Sequence, residues 1–318
     1  MKVVLAHDFG PDFVDDMRRA YPQIDLCPAY SEEESVREIG DAEVLIGEIT
    51  PQIFPAARQL KWFHYVGIGF DKFVHDIPGF VDSDFIFTNC RETHVISMAD
   101  HVFAMILAFA HRLPELLEDQ QNHTWNGPRY RGRVLELAGT TMGILALGDI
   151  GRAVAQRARG FDMEVYAIDI HPMDPPPEVR AVWPPERLGD MLALVDWLVV
   201  TAPLTSQTQN MIDRQALEHL KPGAFIVVVS RGHIVNEEAL IEGLKSGRIA
   251  GAGLDALDQE PLPPDHSLWD TPNVIISPHS SADSAQMWQR REQITRQNLH
   301  RYLTGEPLMY LCDKKAGY

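Results

Sequence analysis

The chain reads as an α/β protein of two domains, each built on a parallel sheet. Two observations carry that reading. Strand and helix signals alternate through both halves of the 318 residues, and the strand segments of the second half end in reactive side chains. Parallel strands need a crossover between them, usually a helix, so alternation is the pattern they leave in a sequence. Length agrees, since one domain commonly takes ~100–200 residues.

The first alternation opens with Val3–Ala6, a short apolar run suited to a buried strand. Pro11–Ala20 has helical spacing, and another helix opens at Ser31, with Glu34 three residues on in capping-box spacing. Val44–Ile46 is the next strand, and Thr50-Pro51 reads as an N-cap followed by proline at the first helical position. Trp62–Val66 is a strand that ends in the turn Gly67-Ile68-Gly69. Ser97–Gln120 is the longest helical pattern, apolar around much of its circumference at Val102–Ala110, with Pro114 placed to kink it. A helix so apolar is expected to be buried, either between domains or against a partner subunit.

The second alternation supplies strands at Met142–Leu147, Glu164–Ile168, Trp197–Val200, Ala224–Val229, Ile249–Leu254 and Val274–Ile276. Glu237–Lys245 is one of the helices between them, and a last helix follows residue 285. The proline-rich run His171–Pro177 is a loop, because proline fixes φ and lacks a backbone donor.

Composition narrows the function. With 45% apolar and 23% charged residues the chain is globular, and its formal net charge of −17 disfavours nucleic acid and anionic membrane surfaces. An anionic substrate would need local cations. Cys27, Cys90 and Cys312 form no C-x-x-C pair, and no clustered Cys/His suggests a metal. Cytoplasm is the expected compartment, since no signal peptide precedes Val3 and Val102–Ala110 is too short to span a bilayer.

Ala146-Leu-Gly148-Asp-Ile-Gly151 lies at the end of a strand and opens a helix. A dinucleotide site needs a tight turn there, a position without a side chain where the pyrophosphate meets the backbone, and a small residue where helix packs on strand. Gly148 and Gly151 fill the second and third roles, while Ala146 stands where the first glycine belongs. Asp169 ends the next strand, suited to accept hydrogen bonds from the adenosine ribose and to repel a 2′-phosphate. NAD is therefore favoured over NADP, although His171 nearby could soften the preference.

Ligands of open α/β sheets bind outside the carboxyl ends of the strands. Those ends carry Ser230-Arg231-Gly232, Asp255 with Glu260-Pro261 beyond it, and Ser277-Pro278-His279. Reduction of a ketone places charge on oxygen and calls for a proton donor, which an imidazole such as His279 supplies near neutral pH. Glu260 would orient that ring, and Arg231 can fork onto a substrate carboxylate.

These segments, with Ala202-Pro-Leu-Thr205 and Thr208, Gly232-His-Ile-Val235, Gly253-Leu-Asp255 and Glu260-Pro-Leu-Pro263, resemble the D-isomer-specific 2-hydroxyacid dehydrogenases. The resemblance runs from the Gly67 turn to the C-terminal helix. It implies two Rossmann- or flavodoxin-like domains with an active-site cleft between them. Residues 1–95 with 285–318 would bind substrate, and residues 96–284 would bind the dinucleotide. It implies an oxidoreductase acting on a small 2-oxo or 2-hydroxy acid with Arg231, Glu260 and His279 as its catalytic triad. Cofactor contacts would come from Gly148, Asp149, Ile150, Gly151, Asp169, Pro203, Thr208, Val229, Ser230, Arg231, Asp255 and His279, with Asp255 at the nicotinamide. The substrate would meet Gly67, Ile68, Arg231 and His279, and a homodimer would form around Ser97–Gln120.

The sequence departs from the family pattern at Ala146, at Asp100 where glutamate is common, and at Asn236 where aspartate is common. None of these removes a catalytic group. Two alternatives stay open, an NAD(H)-sensing protein of the corepressor type and a phosphite-type anion dehydrogenase. Formate chemistry is disfavoured because glutamine is usual there in place of Glu260. Of the remaining histidines, His64, His94 and His101 are singled out by no spacing, and His233 is expected to face solvent. Glu237 and Glu238 read as helix N-terminal charges, and Trp288 as a residue of the substrate pocket.

Overall fold

The computed structural model describes residues 1–171 and 173–315. Pro172 of the proline-rich loop and residues 316–318 of the expected substrate domain lie outside the described residues. The chain forms two units, Met1–Thr93 with Ser284–Tyr318, and His94–Asp283.

The first unit holds strands β1 (Lys2–Ala6), β2 (Asp25–Pro28), β3 (Val44–Gly47), β4 (Trp62–Tyr65) and β5 (Ile86–Thr88), all parallel, in the order β2-β1-β3-β4-β5. Helices α1 (Pro11–Ala20), α2 (Glu32–Glu38) and α3 (Asp71–Asp76) connect them. Side chains alternate between the sheet's faces. Val3, Leu5, Val44, Ile46 and Trp62 pack with Phe13 and Met17 of α1, whereas Val4, Leu45, Phe63 and Phe87 pack with Phe73 and Phe80. Ser31 forms the expected capping box with Glu34 at the start of α2. Thr50-Pro51 does not open an α-helix. The Thr50 hydroxyl accepts the Ile53 N–H at 3.2 Å, but the chain makes only a turn and a short 3-10 segment at Phe54–Ala56, where Pro55 removes a donor.

The second unit begins with α4 (Val95–Ala110), α5 (Leu113–Gln121) and α6 (Gly127–Tyr130). The single helix expected over Ser97–Gln120 is thus two, bent by 65° at a break. The break precedes Pro114: Arg112 takes a left-handed conformation with φ of 58° and caps α5. Buried α4 lies on the sheet of its own unit and on α7 (Asp149–Gly160). Among the described residues no single helix is long and apolar enough to cross a membrane.

Strands β6 (Thr141–Leu145), β7 (Glu164–Ile168), β8 (Ala181–Trp183), β9 (Trp197–Val200), β10 (Ala224–Val228), β11 (Ile249–Leu254) and β12 (Val274–Ile276) form a parallel sheet in the order β12-β11-β10-β9-β6-β7-β8. One face packs on α4 and α7 through Met142, Ile144, Val199 and Val227. The other packs through Leu198, Val200 and Ile226 on Leu217 of α9 (Arg214–His219) and Leu240 of α10 (Glu237–Lys245). The short helix α8 (Leu188–Leu192) precedes β9, and α11 (Ala285–Thr304) returns the chain to the first unit, where Leu299 joins the core.

Candidate active site

The turn after β6 is where the sequence pattern placed a dinucleotide. Ala146 lies in the left-handed region with φ of 74°, the conformation for which the missing first glycine would be suited. Thr201 holds this turn, its hydroxyl lying 2.8 Å from the Ala146 carbonyl oxygen. A Cβ on Gly151 would stand 2.4 Å from that same oxygen, so only glycine lets α7 start so close to the turn. A Cβ on Gly148 would meet nothing within 4 Å, which leaves the N-terminus of α7 open to a phosphate. Asp149 and Ile150 form its first turn.

Asp169, just past β7, accepts the Leu147 N–H at 2.8 Å on one oxygen and the His171 N–H at 2.9 Å on the other. These bonds aim the carboxylate beside the turn, and a carboxylate has about four acceptor positions, so it can still receive ribose hydroxyls. Thr208 closes the loop after β9 by donating its hydroxyl to the Pro203 carbonyl at 2.6 Å. Ser230 follows Val229 at the end of β10; its hydroxyl is buried and has no hydrogen-bond partner. A buried orphan hydroxyl on the ligand-binding edge of this sheet, with the open glycine at Gly148, fits a dinucleotide.

Arg231, beyond Ser230, donates to the Ser230 carbonyl at 2.8 Å. On the same edge, two strands away, His279 follows β12 with φ of 52°. Its Nδ1 lies 2.8 Å from Glu260 Oε2, and Glu260 Oε1 accepts the Leu257 N–H at 2.9 Å. The carboxylate is thereby fixed by backbone on one side and fixes the imidazole on the other. Nε2 is left as the nitrogen that can meet a ligand.

The loop carrying His279 is itself pinned. Asp255, fully buried at the end of β11, accepts the Ser277 hydroxyl at 2.5 Å, the Ser280 N–H at 2.9 Å and the Ser281 N–H at 3.1 Å. His101 on α4 reaches the same Ser277 hydroxyl at 3.0 Å. Sequence reasoning did not select His101, because nothing in spacing shows that α4 crosses the end of β12. His233 is half-exposed and pairs with Asp258 at 3.3 Å, tying the segment after β10 to the one that carries Glu260. The sequence reading singled out neither Asp258 nor Thr201.

Gly67 and Ile68 lie in the first unit, after β4. The Gly67 carbonyl accepts the Cys90 N–H at 3.0 Å, and the Ile68 carbonyl accepts the Asn89 side-chain amide at 2.8 Å. In a trans peptide the N–H points away from the carbonyl, so these bonds turn the N–H groups of Ile68 and Gly69 the opposite way. His64 is a core residue, buried between the hydroxyls of Thr88 and Thr295 at 2.8 Å and 3.1 Å. Among the described residues no group of three or more His, Cys, Asp or Glu could hold a metal ion.

Known proteins resemble the chain over most of its length. The NAD binding domain of the D-isomer specific 2-hydroxyacid dehydrogenases matches residues 103–281. The chain is 32% identical over 297 residues to a glyoxylate reductase of Thermofilum pendens, covering 90% of this chain and 86% of that protein. It is 31% identical over 291 residues to a D-3-phosphoglycerate dehydrogenase of Archaeoglobus fulgidus, covering 89% of this chain but only 54% of that longer protein. The crystal structure of a D-isomer specific 2-hydroxyacid dehydrogenase family protein from Aeromonas salmonicida superposes with a TM-score of 0.87 at 29% identity, covering 98% of this chain and 99% of that one. A family model that matches more than half of the chain, with a relative 32% identical across most of both lengths, shows that the chain belongs to the D-isomer specific 2-hydroxyacid dehydrogenase family.

Proposed function

We propose that the protein is an NAD-dependent oxidoreductase that interconverts a small 2-oxo acid and the D-2-hydroxy acid. One observation carries this reading, the 2.8 Å bond between His279 Nδ1 and Glu260 on the sheet edge that also holds the Gly148–Gly151 turn. When bound, the nicotinamide supplies the hydride. The chain supplies the rest. His279 delivers a proton from Nε2 to the carbonyl oxygen in reduction and takes it back in oxidation. Glu260 holds the ring in the orientation that presents Nε2. Arg231 binds the substrate carboxylate as a two-pronged donor, and Gly67 and Ile68 are the substrate-binding positions that the family resemblance implies in the first unit. Arg231, Glu260 and His279 form the catalytic triad in this reading.

The cofactor would rest on Gly148, Asp149, Ile150 and Gly151, with Pro203, Thr208, Val229 and Ser230 along its length. Asp169 favours NAD, since a 2′-phosphate would face a carboxylate. Residues 1–95 with 285–318 would act as substrate domain and residues 96–284 as dinucleotide domain. The homodimer is supported by exposed apolar side chains on the segment after α4, namely Leu113, Leu116, Leu117 and Trp125. The three free cysteines suit the cytoplasm. Glyoxylate, hydroxypyruvate and pyruvate, offered with NADH and followed by its absorbance, test the reaction. Turnover of at least one of them, with NADH preferred to NADPH, is expected. Tight NADH binding without turnover of any acid would favour a sensor, and NAD-linked phosphite oxidation would favour the anion dehydrogenase.

A further inference from the structure

The carboxyl edge of the first sheet carries a second cluster. His7 directly follows β1, and its ring stacks on Trp288 of α11 with centroids 5.4 Å apart and planes 11° from parallel. The Arg291 guanidinium, about one helical turn further, lies 4.7 Å from the same indole centroid. This is no sealed core packing, since Trp288 keeps 39% of its surface exposed. In the order β2-β1-β3-β4-β5, His7 stands two strands from the Gly67 turn, about 10 Å at the usual strand spacing.

The start of α11 bridges that distance. Cys90, whose N–H holds the Gly67 carbonyl, has its sulfur 3.9 Å from the Arg291 carbonyl oxygen, while Trp288 reaches His7. The Arg291 charge is felt at both ends: it adds to burial in lowering His7 and opposes the burial that pushes Cys90 up to about 12. A substrate whose first carboxylate sits on the Gly67 turn would then have, along the same sheet edge, a guanidinium braced on an indole. In a chain of net charge −17, that is a place built for a negative group.

We propose that the first unit selects 2-oxo acids that end in a second carboxylate, and that Arg291, braced on Trp288 with His7 beside it, receives that distal carboxylate. The inference rests on the reading of the protein as a 2-oxo acid reductase and adds the substrate class. The test compares 2-oxoglutarate with 2-oxopentanoate, equal in length but ending in methyl, and includes glyoxylate as the shortest acid.

Wild type is expected to favour 2-oxoglutarate over 2-oxopentanoate by ~10-fold or more in kcat/KM, mainly through KM. Arg291→Met should bring that ratio close to one, and Arg291→Lys should restore part of it. Independently of turnover, 2-oxoglutarate should quench the tryptophan fluorescence of wild type and not that of Trp288→Phe. Equal use of the two five-carbon acids by wild type would overturn the proposal. So would an Arg291→Met variant that loses as much on glyoxylate as on 2-oxoglutarate, since Arg291 would then serve the shared carboxylate. Glyoxylate reduced without a preference for diacids sinks this inference alone, whereas no acid reduced at all sinks the reductase reading and this with it.

Discussion

A single imidazole carries the proton in this account, and the residues behind it decide how well it is placed. Glu260→Gln keeps a group of the same shape against His279 but replaces the carboxylate at its Nδ1 by an amide. Turnover is expected to fall ~10–100-fold, part of what a general acid contributes, while NADH affinity is kept. Steady-state rates beside NADH fluorescence titration check this, and unchanged turnover would show that Glu260 serves only to hold its loop. Ala146 is a second point where one side chain matters. It occupies a left-handed conformation with φ of 74°, which disfavours any residue bearing a Cβ. Ala146→Gly relieves that strain but adds chain entropy to the unfolded state, so a net gain of up to about 1 kcal/mol is expected in chemical denaturation. Gly148, Gly151, Asp169, Arg231, Glu260 and His279 could be picked out from the sequence because each lies within a few residues after the end of a strand. Thr201, His101 and Asp258 could not, because each acts on a residue far away in sequence, reached only once the sheet is assembled.

Elements were legible in proportion to how completely they are buried. Central strands such as β9, with all four residues buried, leave continuous apolar runs, and their bounds follow directly. The segments that gave no strand signal, β2, β5 and β8, are all edges of their sheets, short and only partly buried. The break between α4 and α5 was hidden because Leu113, Leu116 and Leu117 continue the apolar pattern across it. Packing predicts where damage is greatest. Phe63, fully buried in β4, stacks on Phe87 with centroids 5.1 Å apart, so Phe63→Ala should cost about 3–5 kcal/mol in denaturant unfolding. Asp255 makes a different kind of link, joining β11 to the loop after β12. Asp255→Ala leaves the Ser280 and Ser281 N–H groups without their acceptor and frees the His279 loop. Turnover should fall at least ~10-fold together with a loss of hydrogen-exchange protection over residues 277–281. Lost turnover with unchanged protection would place Asp255 at the ligand instead.

For the molecule as a whole, the chain leaves its first unit after Thr93 and returns at Ser284, so that α11 completes a core begun at the N-terminus. His64 marks that closure, tying β4 to Thr88 of β5 and to Thr295 of α11. Burial drives its pKa from the ordinary 6.5 down to about 3. The folded protein keeps the ring neutral where the unfolded chain takes up a proton. Its contribution is therefore complete above pH 6.5 and is lost as pH falls from 6.5 toward 3. At pH 5 the loss is about 2 kcal/mol, and His64→Gln should flatten the stability profile between pH 7 and pH 5 by that amount. Equal slopes in the two proteins would show that the ring protonates without opening the fold. The central claim, that a carboxylate-backed imidazole gives the proton at the carboxyl edge of the second sheet, is tested most directly by His279→Gln. The account predicts turnover of the best 2-oxo acid reduced by ~100–10,000-fold with the NADH dissociation constant held within about 2-fold of wild type. Retained turnover, or turnover lost only in step with NADH binding, would contradict it.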